Sequence, residues 1–216
     1  MIHPLDAGGT PAPAHHPSPE ALARFAAGTI RAGFDVVVAA HLDRCSQCRG
    51  DFARLESLGG QLISEIDPAA MGQQALAHTL ARLESPLPPS TPSPMRRGLD
   101  QLLSDAKRRW VAPGVWTARI DTPHNKADRV FLLKVAPGAT TARHSHAGAE
   151  FTLVLEGALK DDGVIYHAGD FVERDASHTH QPKVHGETPC LCLFATEGRL
   201  VPTDIVGRIA FAVANV

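Results

Sequence analysis

The chain has 216 residues, a formal net charge of −2, 44% hydrophobic residues and 20% charged residues. This is the composition of a folded, water-soluble protein with room for one large domain or two small ones. No apolar run approaches the roughly 20 residues a membrane span needs, no charged start leads into an apolar core as in a signal peptide, and Lys/Arg against Asp/Glu (six to nine over residues 1–85, fifteen to fourteen over 96–216) lacks the basic excess of a module that neutralises phosphates.

A cytoplasmic protein with no membrane and no direct nucleic-acid partner is therefore expected. The mildly acidic N-terminal part suits a basic protein partner better. In chain order, residues 1–15 are rich in Pro, Ala, Gly and His and read as a flexible segment. Ser18-Pro19-Glu20 is a helix start: a capping hydroxyl, a proline in the first turn and an acid near the positive end. Gly28 stops that helix. A second helix is expected over 32–44 and a third from Ser46, with Phe52, Leu55, Leu58 and Leu62 at three- and four-residue spacing. Gly59-Gly60 weakens or bends it. A fourth helix is expected from Asp67-Pro68 through Leu76, Leu80 and Leu83. The stretch from Ser85 to Pro94 holds five prolines in ten residues. It can neither continue a helix nor join a central strand, so it reads as a semi-rigid linker. Beyond it, 99–109 reads as a short helix. Short apolar runs then follow at 115–120, 130–135, 151–155, 171–173, 190–195 and 205–213, the pattern of an all-β sandwich or barrel. The domains expected are 1–15 flexible, 16–85 helical, 86–97 linker and 98–216 all-β.

Two clusters carry metal chemistry. His41, Cys45 and Cys48 form the first: His41 and Cys45 share a helix face at i and i+4, and Cys48 in the first turn of the next helix closes toward the same point. Thiolates and imidazoles in a tetrahedron favour zinc. The fourth ligand is His16 or its neighbour His15, which would close the site and make it structural. A small helical domain gains from such a staple. The second cluster is His144, His146 and Glu150. Two histidines one apart on a strand point the same way, and with a carboxylate they can hold a divalent metal. Cys190 and Cys192 share one strand face and are either redox-sensitive thiols or small buried hydrophobes.

The spacing Gly138, His144-x-His146, Glu150, Gly157 matches, position for position, the first metal motif of the cupin family. The segment from Gly169 to His180 occupies the place of the second, with Asp175 and Ser177 standing where that motif has Pro and Gly. The resemblance makes His180 the fourth ligand, with His178 on the same face as the alternative. Zinc is favoured there; Fe(II), Mn(II) and Ni(II) share the donor chemistry. His124, His167 and His185 read as surface or turn residues.

The His-x-x-x-Cys-x-x-Cys of the first cluster, with an upstream histidine and Ala26-Ala27-Gly28-Thr29, resembles the zinc-binding anti-sigma domain. With the proline-rich linker, the cupin motif and Cys190-Leu-Cys192-Leu, the whole chain is similar to the ChrR-like anti-sigma factors. The resemblance implies a zinc-stabilised four-helix domain joined to a C-terminal cupin. The helical domain would bind a sigma factor of the extracytoplasmic-function (ECF) type, with Phe34, Val36–Val38, Leu76 and Leu80 as contact or core residues. The cupin would sense an oxidant, such as singlet oxygen, or a small ligand without catalysing a reaction. The alternatives are a metal-dependent cupin enzyme (a dioxygenase or isomerase) with an accessory zinc domain, and a DNA-binding activator, which the charge balance disfavours.

Overall fold

The computed structural model describes residues 12–84, 101, 104, 106–121, 128–204, 207–208 and 212. The linker 86–97 lies outside them. Four helices come first, then twelve strands. Helix α1 (Pro19–Ala26) starts where expected: the Ser18 hydroxyl accepts from the Ala21 amide at 3.1 Å. Helix α2 (Phe34–Leu42) buries seven of its nine residues, including Val36, Val37, Val38 and His41. A helix apolar on nearly every side must be covered on nearly every side. Helix α3 (Ser46–Ser64) runs straight through Gly59-Gly60, and Cys48 is its one fully buried residue. Its Phe52 ring meets Phe25 of α1 at 5.3 Å.

The β region has three antiparallel sheets. Strands β1 (Arg108–Ala112), β2 (Val115–Ile120), β3 (Asp128–Val135), β11 (Cys190–Glu197), β5 (Glu150–Glu156) and β8 (Phe171–Arg174) form a six-stranded sheet in that spatial order. Strands β10 (Lys183–Val184), β6 (Ala158–Asp161) and β7 (Val164–His167) form a second sheet, and β12 (Leu200–Pro202), β4 (His144–His146) and β9 (Thr179–His180) a third. Among the described residues the sheets stay separate, so the arrangement is a cupin-like layered β structure rather than a closed barrel.

Alternation along β11 explains the layering. Cys190, Cys192 and Phe194 face inward, packing with Phe131, Leu159, Tyr166 and Leu200 from the other strands. Leu191, Leu193 and Ala195 face the opposite way and join Phe34, Val37, Val38 and Leu42 in a core beneath the helices. A strand buried on both faces reads as a continuous apolar run, as this one does. The helical part thus lies on the outer face of the large sheet and shares its core. Leu193 is fully buried between the layers. Leu193→Ala should cost about 3 kcal/mol, read as a lower denaturant midpoint with loosening of both the helices and the sheet.

Several expectations need correction. The fourth helix, α4, spans Ala75–Glu84 rather than starting at Asp67; residues 67–74 carry no helix. The expected helix over 99–109 is cut short, because Arg108 and Arg109 belong to β1, while Gln101 and Ser104 are helical. The expected strand over 205–213 is helical at Gly207, Arg208 and Ala212. There the Asp204 carboxylate accepts from the Gly207 amide at 2.6 Å, a helix N-cap that outweighs a short apolar run with no period of its own. The end of the segment expected to be flexible is docked: Ala14 and His15 donate backbone hydrogen bonds to Asp170.

Candidate metal centres

The first centre forms where α2 meets α3. Cys45 caps α3, its Sγ accepting from the Cys48 amide at 3.4 Å, and this turns both sulfurs toward His41. His16 arrives from the extended segment before α1. One ligand atom from each of His16, His41, Cys45 and Cys48 lies within 4.8 Å of all the others. His41 Nε2 is 3.3 Å from Cys48 Sγ, and His16 Nδ1 is 3.5 Å from Cys45 Sγ and 3.4 Å from Cys48 Sγ. A tetrahedron with metal–sulfur bonds of about 2.3 Å and metal–nitrogen bonds of about 2.0 Å has nitrogen–sulfur edges of about 3.5 Å. The observed edges fit that figure. His15 turns elsewhere, its ring 4.6 Å from Tyr166 and its Nδ1 3.3 Å from Asp170.

The electrostatics agree. Burial lowers the His41 pKa to about 4, so the ring is neutral near pH 7. Its Nδ1 lies 2.9 Å from the Gly169 carbonyl, which can only accept, so the proton sits there and the Nε2 lone pair faces the sulfurs. Burial pushes the Cys48 thiol up to about 12, with the Cys45 hydrogen bond adding to the rise. A cation is what would bring that thiol to the thiolate form.

The second centre lies where β4 pairs with β9. The register sets His144 opposite His180, and His146 follows two residues on. The Nε2 atoms of the three rings converge, His146 to His180 at 3.0 Å and His144 to His180 at 3.2 Å. His144 Nδ1 faces the Ala142 carbonyl at 2.9 Å and His180 Nδ1 faces an Asp161 oxygen at 2.8 Å. Both partners accept, so both Nδ1 atoms hold protons and the Nε2 atoms are turned to a common point, where a cation can take them as ligands. Metal–nitrogen bonds of about 2.1 Å give nitrogen–nitrogen edges of about 3.0 Å in an octahedron and about 3.4 Å in a tetrahedron; the observed edges lie between. Burial lowers the His144 pKa to about 4 and that of His146 to about 3, keeping both neutral.

Glu150 is brought beside this triad but does not join its mutual cluster. Its Oε1 accepts from the Thr152 hydroxyl at 3.1 Å, and its Oε2 lies 3.3 Å from His146 Nδ1. Both of those last two atoms are buried without a hydrogen-bond partner. Burial raises the Glu150 pKa to about 7. His178 stands apart, its Nδ1 3.0 Å from Asp175 in an exposed turn. His167 and His185 are exposed, and His124 lies outside the described residues.

Cys190 and Cys192 are buried with sulfurs 3.5 Å apart. They line an apolar cavity of about 120 Å³ that also touches His144, Phe131 and Phe194. The hydrogen bond to Cys190, with burial, drives the Cys192 thiol well above its usual range, so it is a weak nucleophile as it stands.

Sequence reasoning missed the supporting residues. Asp161 orients His180 and is held by Arg174 Nη2 at 3.0 Å, whose guanidinium also reaches Tyr166 Oη at 3.4 Å. Burial alone would raise the Asp161 pKa, but His180 and Arg174 outweigh it and hold the carboxylate below its usual range. Nothing local marks these residues.

Acid should weaken the metal-free chain. His41, His144 and His146 have folded pKa values below the ordinary 6.5, at about 4, 4 and 3. The unfolded chain therefore binds more protons, and their contribution is present above about 6.5 and lost as pH falls toward 4. Glu150, raised from 4.5 to about 7, acts oppositely: its contribution is full below 4.5 and lost as pH rises through 7. Three imidazoles outweigh one carboxylate, so the thermal midpoint of metal-free protein should fall between pH 6.5 and 4. A flat profile would contradict the burial of neutral rings.

Residues 100–199 match the family described as the ChrR Cupin-like domain. Anti-sigma-E factor ChrR of Cereibacter sphaeroides is 34% identical over 195 residues, covering 86% of this chain and 91% of that relative. The chain belongs to the ChrR family of anti-sigma factors. An anti-sigma factor is a regulatory protein that acts by binding its sigma factor. The crystal structure of Rhodobacter sphaeroides SigE in complex with the anti-sigma ChrR matches with a TM-score of 0.73 and 35% identity, covering 84% of this chain and 98% of that one. As a ChrR-family chain it has, among its described residues, no helix long and apolar enough to cross a membrane.

Proposed function

We propose that this chain sequesters an ECF-type sigma factor in the cytoplasm through its N-terminal helices. The helical part is residues 16–85, zinc held by His16, His41, Cys45 and Cys48 organises it, and 86–97 links it to a sensing cupin over 98–216. The observation that carries this reading is where apolar surface is exposed. Phe34 and Val36–Val38 are core beneath the sheet. By contrast Leu58, Leu62 and Ile63 on α3, Ile66 and Met71 beyond it, and Leu76, Leu80 and Leu83 on α4 are each at least half exposed. So many large side chains in water mark a surface awaiting a partner. The relative crystallised with its sigma factor supplies the class of partner.

The cupin centre of His144, His146 and His180, with Glu150 beside it, holds zinc or a similar divalent ion. An oxidant or small ligand acting there, or at Cys190 and Cys192, would shift the balance between bound and released sigma. It does so only by interacting differently with the two states. The ion's part, when bound, is to fix the three rings and present a Lewis-acidic point. Adding the purified chain to transcription by RNA polymerase carrying the cognate sigma should silence that sigma's promoters and leave others running. Undiminished transcription at stoichiometric chain would end the proposal.

A further inference from the structure

We propose that Asp170, a residue of the cupin, is a positioning residue of the N-terminal metal centre, so that this centre is completed across the two parts of the chain. His16 sits on a segment with no helix or strand of its own. A ligand on such a segment carries an ordering cost unless something else holds the backbone. Here the cupin holds it. Asp170 Oδ1 accepts from the Ala14 amide at 2.7 Å and from the His15 amide at 3.0 Å, while the Phe171 amide donates to the His15 carbonyl at 3.0 Å. Two residues on, Glu173 Oε1 accepts from the Ser18 amide at 2.7 Å. The segment is therefore fixed on both sides of His16.

Asp170 is itself fixed: its Oδ2 accepts from the His167 amide at 2.7 Å, and the residue is 2% exposed. The residue before it holds a second ligand, since the Gly169 carbonyl takes the His41 Nδ1 proton. Gly169 has φ 98°, and a Cβ there would lie 2.9 Å from Pro13 Cγ, so the turn needs glycine to let the segment approach. Residues 169–171 thus orient two of the four metal ligands, one from α2 and one from the segment before α1. Amides donated to a buried carboxylate are charge-assisted bonds. Outer-sphere partners of this kind typically alter metal affinity by about 10- to 100-fold.

This inference rests on reading His16, His41, Cys45 and Cys48 as a metal site, and not on the identity of the sigma partner. The test uses the full chain loaded with cobalt(II). Only the N-terminal centre contains thiolates, so only it shows sulfur-to-cobalt charge-transfer absorption, and chelator competition followed in that band reads this centre alone. Asp170→Asn should lower its cobalt affinity about 10- to 100-fold and change the ligand-field bands as His16 loosens. Phe131→Leu, which breaks the ring stack with Phe194 in the inner cupin core on strands that do not hold the His16 segment, should lower the thermal midpoint while leaving the cobalt affinity within about twofold. An unchanged affinity in Asp170→Asn overturns the proposal, and so does an equal loss in Phe131→Leu, which would reduce Asp170 to general support of the fold. Loss of sigma binding by fully metal-loaded wild-type chain would count against the proposed function and leave the cobalt result standing.

Discussion

Replacing Cys45 and Cys48 together with alanine is expected to remove one metal equivalent, free α3 and abolish sigma binding. Cys48 is the only residue of α3 that is fully buried, and Phe52 and Leu55 pack only partly. The helix is therefore fastened chiefly by its metal-binding first turn. Structural zinc in small domains binds with an apparent free energy of about 10 kcal/mol or more near neutral pH, far above what those partial contacts supply. Helix α2 should stay, because Val37, Val38 and Leu42 are packed on the sheet independently of the metal. Circular dichroism should thus lose helix equivalent to the 19 residues of α3 while the β signal persists. A double mutant that keeps both its helix content and its sigma affinity would remove the metal from the account.

His146→Ala with Glu150→Ala should act on the other centre alone. One of three converging imidazoles is lost, together with the carboxylate beside it, so cupin metal affinity should fall at least about 100-fold, the upper end of what outer-sphere changes alone produce. Glu150 is buried with an unpartnered Oε2, but its Oε1 accepts from the buried Thr152 hydroxyl, so the metal-free fold should lose some stability on its removal while staying folded. Repression should survive and the response to oxidant or ligand should be blunted, measured as sigma-dependent reporter output with and without the inducing stress. Equal loss of repression in this variant and in the cysteine variant would contradict the division of labour.

The two clusters were legible in the sequence because their spacing is local. His41, Cys45 and Cys48 follow from helical periodicity and a helix start, and His144 and His146 from strand alternation. His180 came from the cupin pattern despite Asp175 and Ser177 in place of Pro and Gly; in the structure it pairs with His144 across β4 and β9. The supporting groups were not legible, because their partners are remote. Asp170 binds amides more than 150 residues away. Asp161 precedes Asp162-Gly163, both with positive φ, and so reads as the edge of a hairpin turn. The apolar run from Cys190 to Ala195 announced burial on both faces, but nothing in it named α2 as the cover. Phe34 and Val36–Val38 read as core more often than as a partner face, and their position against Leu153, Leu193 and Ala195 makes them core. The run over 205–213 failed for a different reason: a single cap at Asp204 decides between helix and strand where periodicity is silent.

In the proposed function, an ion gripped by His16, His41, Cys45 and Cys48 shapes the surface that docks a sigma factor. Gel filtration of the chain with its cognate sigma factor, before and after zinc is withdrawn by a chelator and with zinc counted in each fraction, tests it most directly. One co-eluting peak carrying the N-terminal zinc is expected, and two separate peaks once that zinc is gone. Undiminished co-elution of zinc-free chain and sigma factor would contradict it.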